Sequence, residues 1–142
     1  MAEEIEGKYK QFIEQVAATK QVWGLKSKTG WANAESAQDA DAAVVPFWTE
    51  RGLAKTCARD DWKNFLPTEI PLTMFLEDWC MGMAENGTLA GVSWDANMHG
   101  IESDAAGLAL DILNQLSKIN SAITFTGYSS INEFITQISE EE

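Results

Sequence analysis

The sequence is poor in the side chains that carry most catalytic and metal chemistry. It has one histidine, His99, and two cysteines, Cys57 and Cys80, in 142 residues. Zinc sites usually gather three or four ligands. A single imidazole near Asp95, Glu102 and Asp104 falls short of that. The run Asp95-Ala96-Asn97-Met98-His99-Gly100 starts like a calcium loop, but Ala106 stands where the bidentate glutamate belongs. It reads instead as a hairpin turn built on Asx chemistry. No metal and no cofactor is therefore expected. There is no Gly-x-Ser-x-Gly elbow, phosphate-binding loop, dinucleotide fingerprint or Cys-x-x-Cys pair. Cys57 and Cys80 both fall on apolar helix faces, which predicts inert buried thiols rather than a nucleophile paired with His99.

Positive charge is scarce in the second half. Residues 1–59 balance eight acids with eight bases, whereas residues 60–142 set fourteen acids against Lys63 and Lys118 and carry the whole net charge of −12. Phosphate contacts need clustered Lys and Arg. Nucleic acid and anionic membranes are thus excluded as partners, while a basic protein partner is compatible. No apolar run approaches the length needed to span a bilayer. The N-terminus, Met1-Ala2-Glu3-Glu4-Ile5-Glu6, is acidic and polar, unlike a signal peptide. The expected location is the cytoplasm, with reduced thiols.

What is present is the material of a core. The apolar content is 45%, and six tryptophans are dispersed at 23, 31, 48, 62, 79 and 94. That dispersion suits core anchors better than one stacking platform. The length fits a single domain over residues 1–142. Ile5, Tyr9, Phe12, Ile13 and Val16 recur at helical spacing and predict a helix from Glu3 to Ala18. Strands follow at Gln21–Lys26 and Trp31–Ala34. The stretch from Ala42 to Ala54 is central: Val44, Val45, Phe47 and Trp48 form a strand, and Thr49 is placed to cap a helix that runs to Ala58. Pro46 lacks an N–H, so this strand should be an edge near that residue.

Residues 60–67 read as irregular, pinned by Trp62 and Phe65, with a short extended piece at Glu69–Leu72. A helix capped by Thr73 runs to Glu85, and Asn86-Gly87 turns the chain. Thr88–Trp94 is almost wholly apolar and belongs in the middle of a sheet. Met98–Glu102 is its hairpin partner. Ser103 caps a helix from Asp104 to Ile119, Ile123–Thr126 is extended, and Ser130 with Glu133 makes a capping box for a last short amphipathic helix. Short turns favour antiparallel pairing. The expected fold is α+β: one compact domain with a mainly antiparallel sheet and helices packed on it.

Gln21-Val22-Trp23-Gly24-Leu25, Gly30-Trp31-Ala32, Val45-Pro46-Phe47-Trp48, Glu69-Ile70-Pro71-Leu72 and Gly91-Val92-Ser93-Trp94-Asp95 follow one another in order. That succession resembles the bacterial family called domain of unknown function 2750, over a core of about 12–116. The resemblance implies a small cytosolic protein and supplies no activity, cofactor or catalytic residue. Residues 120–142 lie beyond it as a C-terminal extension.

Two functions fit. Without a catalytic set, and with an acidic second half, the chain reads as a non-catalytic protein-interaction or accessory module rather than an enzyme. Its partner is another protein or a second copy docked on the apolar face of residues 130–138. The alternative is a small-molecule-binding protein or small enzyme. Its pocket would lie near Trp48, Arg51 and His99, with Arg51 clamping a carboxylate.

Overall fold

The computed structural model describes the backbone of residues 2–28, 30–36, 42–59, 62–94 and 100–141, and within that range the side chains of residues 7–139. His99 and the rest of 95–99 lie outside the described residues, as does the turn chemistry expected there. In chain order the elements are α1 (Ala2–Thr19), β1 (Gln21–Ser27), β2 (Gly30–Trp31), β3 (Ala34–Glu35), β4 (Ala43–Phe47), α2 (Arg51–Thr56) and β5 (Leu66–Pro71). Helix α3 follows; it is α-helical over Leu72–Met74, π-helical over Phe75–Cys80 and α-helical again over Met81–Asn86. The chain closes with β6 (Leu89–Val92), β7 (Ile101–Asp104), α4 (Ala105–Lys118) and α5 (Ile131–Glu141).

Strand β1 joins two sheets. Along one edge it pairs antiparallel with β5, from Gln21↔Pro71 to Lys26↔Leu66. Along the other it pairs with β2 at Lys26 and Ser27. At Trp23 that same edge meets Trp48 through two reciprocal backbone hydrogen bonds of 2.8 Å. The second sheet runs β3-β4-β6-β7, antiparallel except for the parallel pair β4–β6. Antiparallel pairing dominates, and helices pack on the sheets in a single compact α+β fold.

Pro46 shows how sequence and pairing fit together. The Trp48 N–H points toward β1, so by alternation the nitrogens of Val44 and Pro46 point to the same side. Strand β3 reaches only Val44, and β1 contributes only at Trp48. The missing donor of Pro46 therefore falls in the gap between them. The strand is an edge at Pro46, as expected, although β4 as a whole lies inside its sheet.

The same alternation divides the core. Val45, Phe47, Ala90, Val92 and Ile101 face a layer of helices, where Phe12, Val16, Phe75, Leu76, Leu108, Ile112 and Leu113 are buried. Val44, Trp48 and Leu89 face the opposite way, with Leu25, Ala54, Cys57, Trp62 and Trp94. Helix α4 packs on α1, α3 and α5, while the short α2 lies across β1 and β5.

Several local expectations are corrected. Thr49 does not cap α2; Glu50 holds that position without a side-chain cap bond. Helix α3 starts after Pro71 rather than at Thr73. Asp104, not Ser103, caps α4, its carboxylate accepting the Gly107 N–H at 2.9 Å. In each case neighbouring residues offer similar chemistry, and backbone direction selects between them. The short extended piece expected at Glu69–Leu72 starts earlier, taking in Leu66 and Pro67 from the stretch read as irregular, and residues 66–71 form the strand with the most extensive pairing to β1. The expected strand at Trp31–Ala34 is two short strands on different partners, and Ile123–Thr126 lies outside helices and strands.

The Asn86-Gly87 turn is a Schellman motif: Gly87 has φ 71°, Thr88 N–H donates to Met83 O at 2.9 Å, and Gly87 N–H to Ala84 O at 3.4 Å. At the last helix the Glu133 N–H donates to Ser130 Oγ at 3.1 Å, while its carboxylate accepts from Ser129. The capping box forms, with its return bond one residue earlier than usual. The apolar face of α5 is occupied within the chain: Phe134 and Ile138 are buried, and Tyr128 stacks on Phe134 with centroids 3.9 Å apart.

Candidate functional site

The ends of β4 and β6 fix the site. Because the two strands are parallel, their carboxyl ends lie side by side, and the chain leaves both at the same rim. Such carboxyl ends are where open parallel sheets hold ligands. Here Trp48-Thr49-Glu50 leaves β4 and Ser93-Trp94 leaves β6. Helix α1 forms one wall with Lys8, Gln11, Phe12 and Gln15, which recur at i, i+3, i+4 and i+7 and so share one face. Leu53 and Thr56 of α2 form the other wall with Glu50. The cavity between them is about 480 Å³, within the range of small-molecule sites.

Tryptophans make its base rigid. Trp48 is fully buried, and its Nε1–H donates to Trp94 O at 2.9 Å. The same carbonyl accepts the Cys57 thiol at 3.4 Å. Trp94 Nε1–H donates to Ile101 O at 3.2 Å. The indole sits against glycine: a Cβ on Gly91 would lie 2.7 Å from Trp94 Nε1 and 3.1 Å from the Pro46 Cα. Both indole donors are thus used inside the fold, and the rings offer only carbon surface to the cavity.

Two hydroxyls stand at the rim. Thr49 is 8% exposed and lines the cavity. Ser93, the first residue after β6, holds φ at 55°, a left-handed conformation that serine rarely adopts. Such a residue is strained by about 1–3 kcal/mol, and strain of this kind collects at binding and catalytic sites. Both residues had another reading from sequence: Thr49 as a helix cap, Ser93 as an ordinary strand residue.

A model of the DUF2750 family, described as a protein of unknown function, matches residues 9–112. The chain belongs to the DUF2750 family. No curated protein and no solved structure matches it. The DUF2750 match contains Gln11, Phe12, Gln15, the whole β4–α2 corner and Ser93-Trp94, and it ends within α4. Lys8 stands one residue before it.

Of the side chains singled out from sequence, Trp48 lies at the base of the cavity. Arg51, the first residue of α2, is exposed and is not among the lining side chains. His99 lies outside the described residues. Lys8, Gln11 and Gln15 were missed because they read as the solvated side of α1. Only their position flanking Phe12 marked them.

A larger cavity, about 690 Å³, lies between α3 and the segment before α5. Two of its three carboxylates are already engaged: Glu77 accepts the backbone N–H groups of Thr126 at 3.1 Å and Gly127 at 2.6 Å, and Glu133 accepts from Ser129. The hydrogen bonds from Ser129 hold Glu133 below the usual carboxylate range. These groups fasten the C-terminal segment to α3 rather than await a ligand. Cys80, fully buried in the π-helical stretch, has its thiol pushed well up by burial and by the nearby Asp104 charge, so it is unreactive. Among the described residues no group of three or more His, Cys, Asp or Glu is placed to hold a metal ion, and no helix is long and apolar enough to cross a membrane.

Proposed function

We propose that this protein binds a small molecule in the cleft between α1 and α2, without covalent chemistry. The placement of the cleft carries this reading: it opens where β4 and β6 end side by side, with an apolar base and the Thr49 and Ser93 hydroxyls in its lining. A ligand atom there would meet the Thr49 hydroxyl as a donor or an acceptor. The left-handed backbone of Ser93, just past the adjacent strand, supports the same location.

The protein-interaction alternative finds less support at the sheet edge. The free edge of β5 would be the natural place for an added strand. Pairing with β1 turns Leu66, Thr68 and Ile70 inward, so Pro67, Glu69 and Pro71 face out. Two of those three positions have no N–H to donate, which blunts the edge.

Thermal-shift screening of the full chain against a broad metabolite panel tests the proposal. A ligand present at a hundredfold over its Kd adds about 2.7 kcal/mol to stability. Thr49→Val should weaken binding of that ligand by about three- to tenfold, the worth of one hydrogen bond. An unchanged melting temperature across the panel would rule the cleft out as a binding site.

A further inference from the structure

The lining of the cleft specifies the kind of molecule it accepts. Among its described side chains only Lys8 and Glu50 are charged, one on the α1 wall and one at the start of the α2 wall. Among the described lining side chains these charges cancel, within a protein of net charge −12. A phosphorylated or multiply anionic ligand would meet one lysine and an unfavourable overall field. A cationic ligand would meet Lys8 as a like charge. What suits opposed single charges is a molecule that carries both. The same lining carries the Thr49 and Ser93 hydroxyls, each able to donate and accept, while Phe12, Leu53 and Trp94 provide carbon surface.

We propose that the cleft takes a free α-amino acid with an apolar side chain. The carboxylate pairs with Lys8, the ammonium with Glu50, and the Thr49 hydroxyl bonds the carboxylate. The side chain lies against Phe12, Leu53 and Trp94. This inference rests on the cleft being a binding site and adds the chemistry of its occupant. Arg51, which the sequence pointed to as the carboxylate clamp, has no part in it.

Titration of the 15N-labelled full chain tests it, followed through the indole N–H signals of Trp48 and Trp94. The probes are L-leucine, L-phenylalanine, L-leucinamide and 4-methylpentanoate; the last two keep one charge each. L-leucine or L-phenylalanine should shift these signals saturably. L-leucinamide and 4-methylpentanoate should bind about two- to fivefold more weakly, the scale of an exposed ion pair. Lys8→Gln should weaken 4-methylpentanoate and leave L-leucinamide unchanged, and Glu50→Gln should do the reverse. If single-charge analogues bind as tightly as L-leucine, or if only panel compounds of other chemistry shift the indoles, the amino-acid assignment is wrong and the cleft remains a site. If nothing in either set shifts the indoles, both fail together.

Discussion

The two faces of the sheet solve the same burial problem with different materials. The helix-covered face is filled by Phe12, Val16, Phe47, Phe75, Leu108, Ile112 and Leu113, and next to the sheet its aromatic contacts are edge-on, as between Phe47 and Phe75 at 4.7 Å and 77°. None of these side chains needs a polar partner. The opposite face is smaller and rests on Trp48, Trp62 and Trp94, with Trp62 and Trp94 stacked at 6.4 Å. Its indoles must satisfy their N–H groups as they are buried, and both Trp48 and Trp94 do so on backbone carbonyls. A layer built on directional bonds holds its backbone in one arrangement. It can therefore keep Ser93 strained and hold Thr49 in place at the shared rim. An aliphatic core has no comparable means of fixing a rim hydroxyl.

That contrast can be broken in graded steps. The largest effect is expected on the helical face: Phe47→Ala should cost about 3–5 kcal/mol in a denaturant melt, by lost burial plus a cavity. On the tryptophan face the damage should come through shape and bonding rather than volume. Gly91→Ala forces a methyl group into Trp94 and toward the Pro46 backbone. It should cost about 1–3 kcal/mol and shift the Trp94 indole signal, whereas an unperturbed indole would show that the close approach is not maintained. Trp48→Phe should cost about 2 kcal/mol, leaving the Trp94 carbonyl to the weak Cys57 donor. If it costs less than Phe47→Leu, the bonding account of this face is wrong.

Smaller effects separate the rim from both layers. Thr49→Val should leave stability unchanged to within about 0.5 kcal/mol, because among the described residues its hydroxyl has no hydrogen bond to lose. A drop beyond about 1 kcal/mol would mean that Thr49 is structural. On the helical side, Tyr9 donates to Asp111 Oδ2 at 2.5 Å. Burial and that carboxylate push its pKa well above a tyrosine's ordinary value. The folded protein holds this proton more tightly than the unfolded chain, so the contribution is full below about pH 10 and is lost as pH rises beyond it. Tyr9→Phe should flatten the alkaline decline in melting temperature; an equally steep decline would assign it to Cys80 or other groups.

Much of this was legible from residue pattern, where the relevant forces are local. The spacing of Phe12, Ile13 and Val16 predicts α1, and all three are buried. The expected α+β class follows from alternating apolar periods and short turns. Legibility ends at choices between neighbours and at contacts distant in the chain. Strand β5 was obscured by Pro67 and Pro71, whose weakness as strand formers disappears once they face an unpaired edge. The parallel register of β4 and β6 joins Val44–Phe47 to Leu89–Val92, and no local signal reports it.

The opening helix, the apolar corner from Val44 to Trp48 and the Gly87 turn are settled by residues within a few positions of one another. Periodicity and backbone sterics act at that range. The cleft is of another kind. Lys8 and Gln15 come from α1, Thr49 and Glu50 from the end of β4, and Ser93 from the end of β6. Each is unremarkable in its own segment. Only the parallel β4–β6 pair, with α1 packed beside it, brings them to one rim, because side-chain chemistry converges through pairing and packing across the chain rather than through spacing along it.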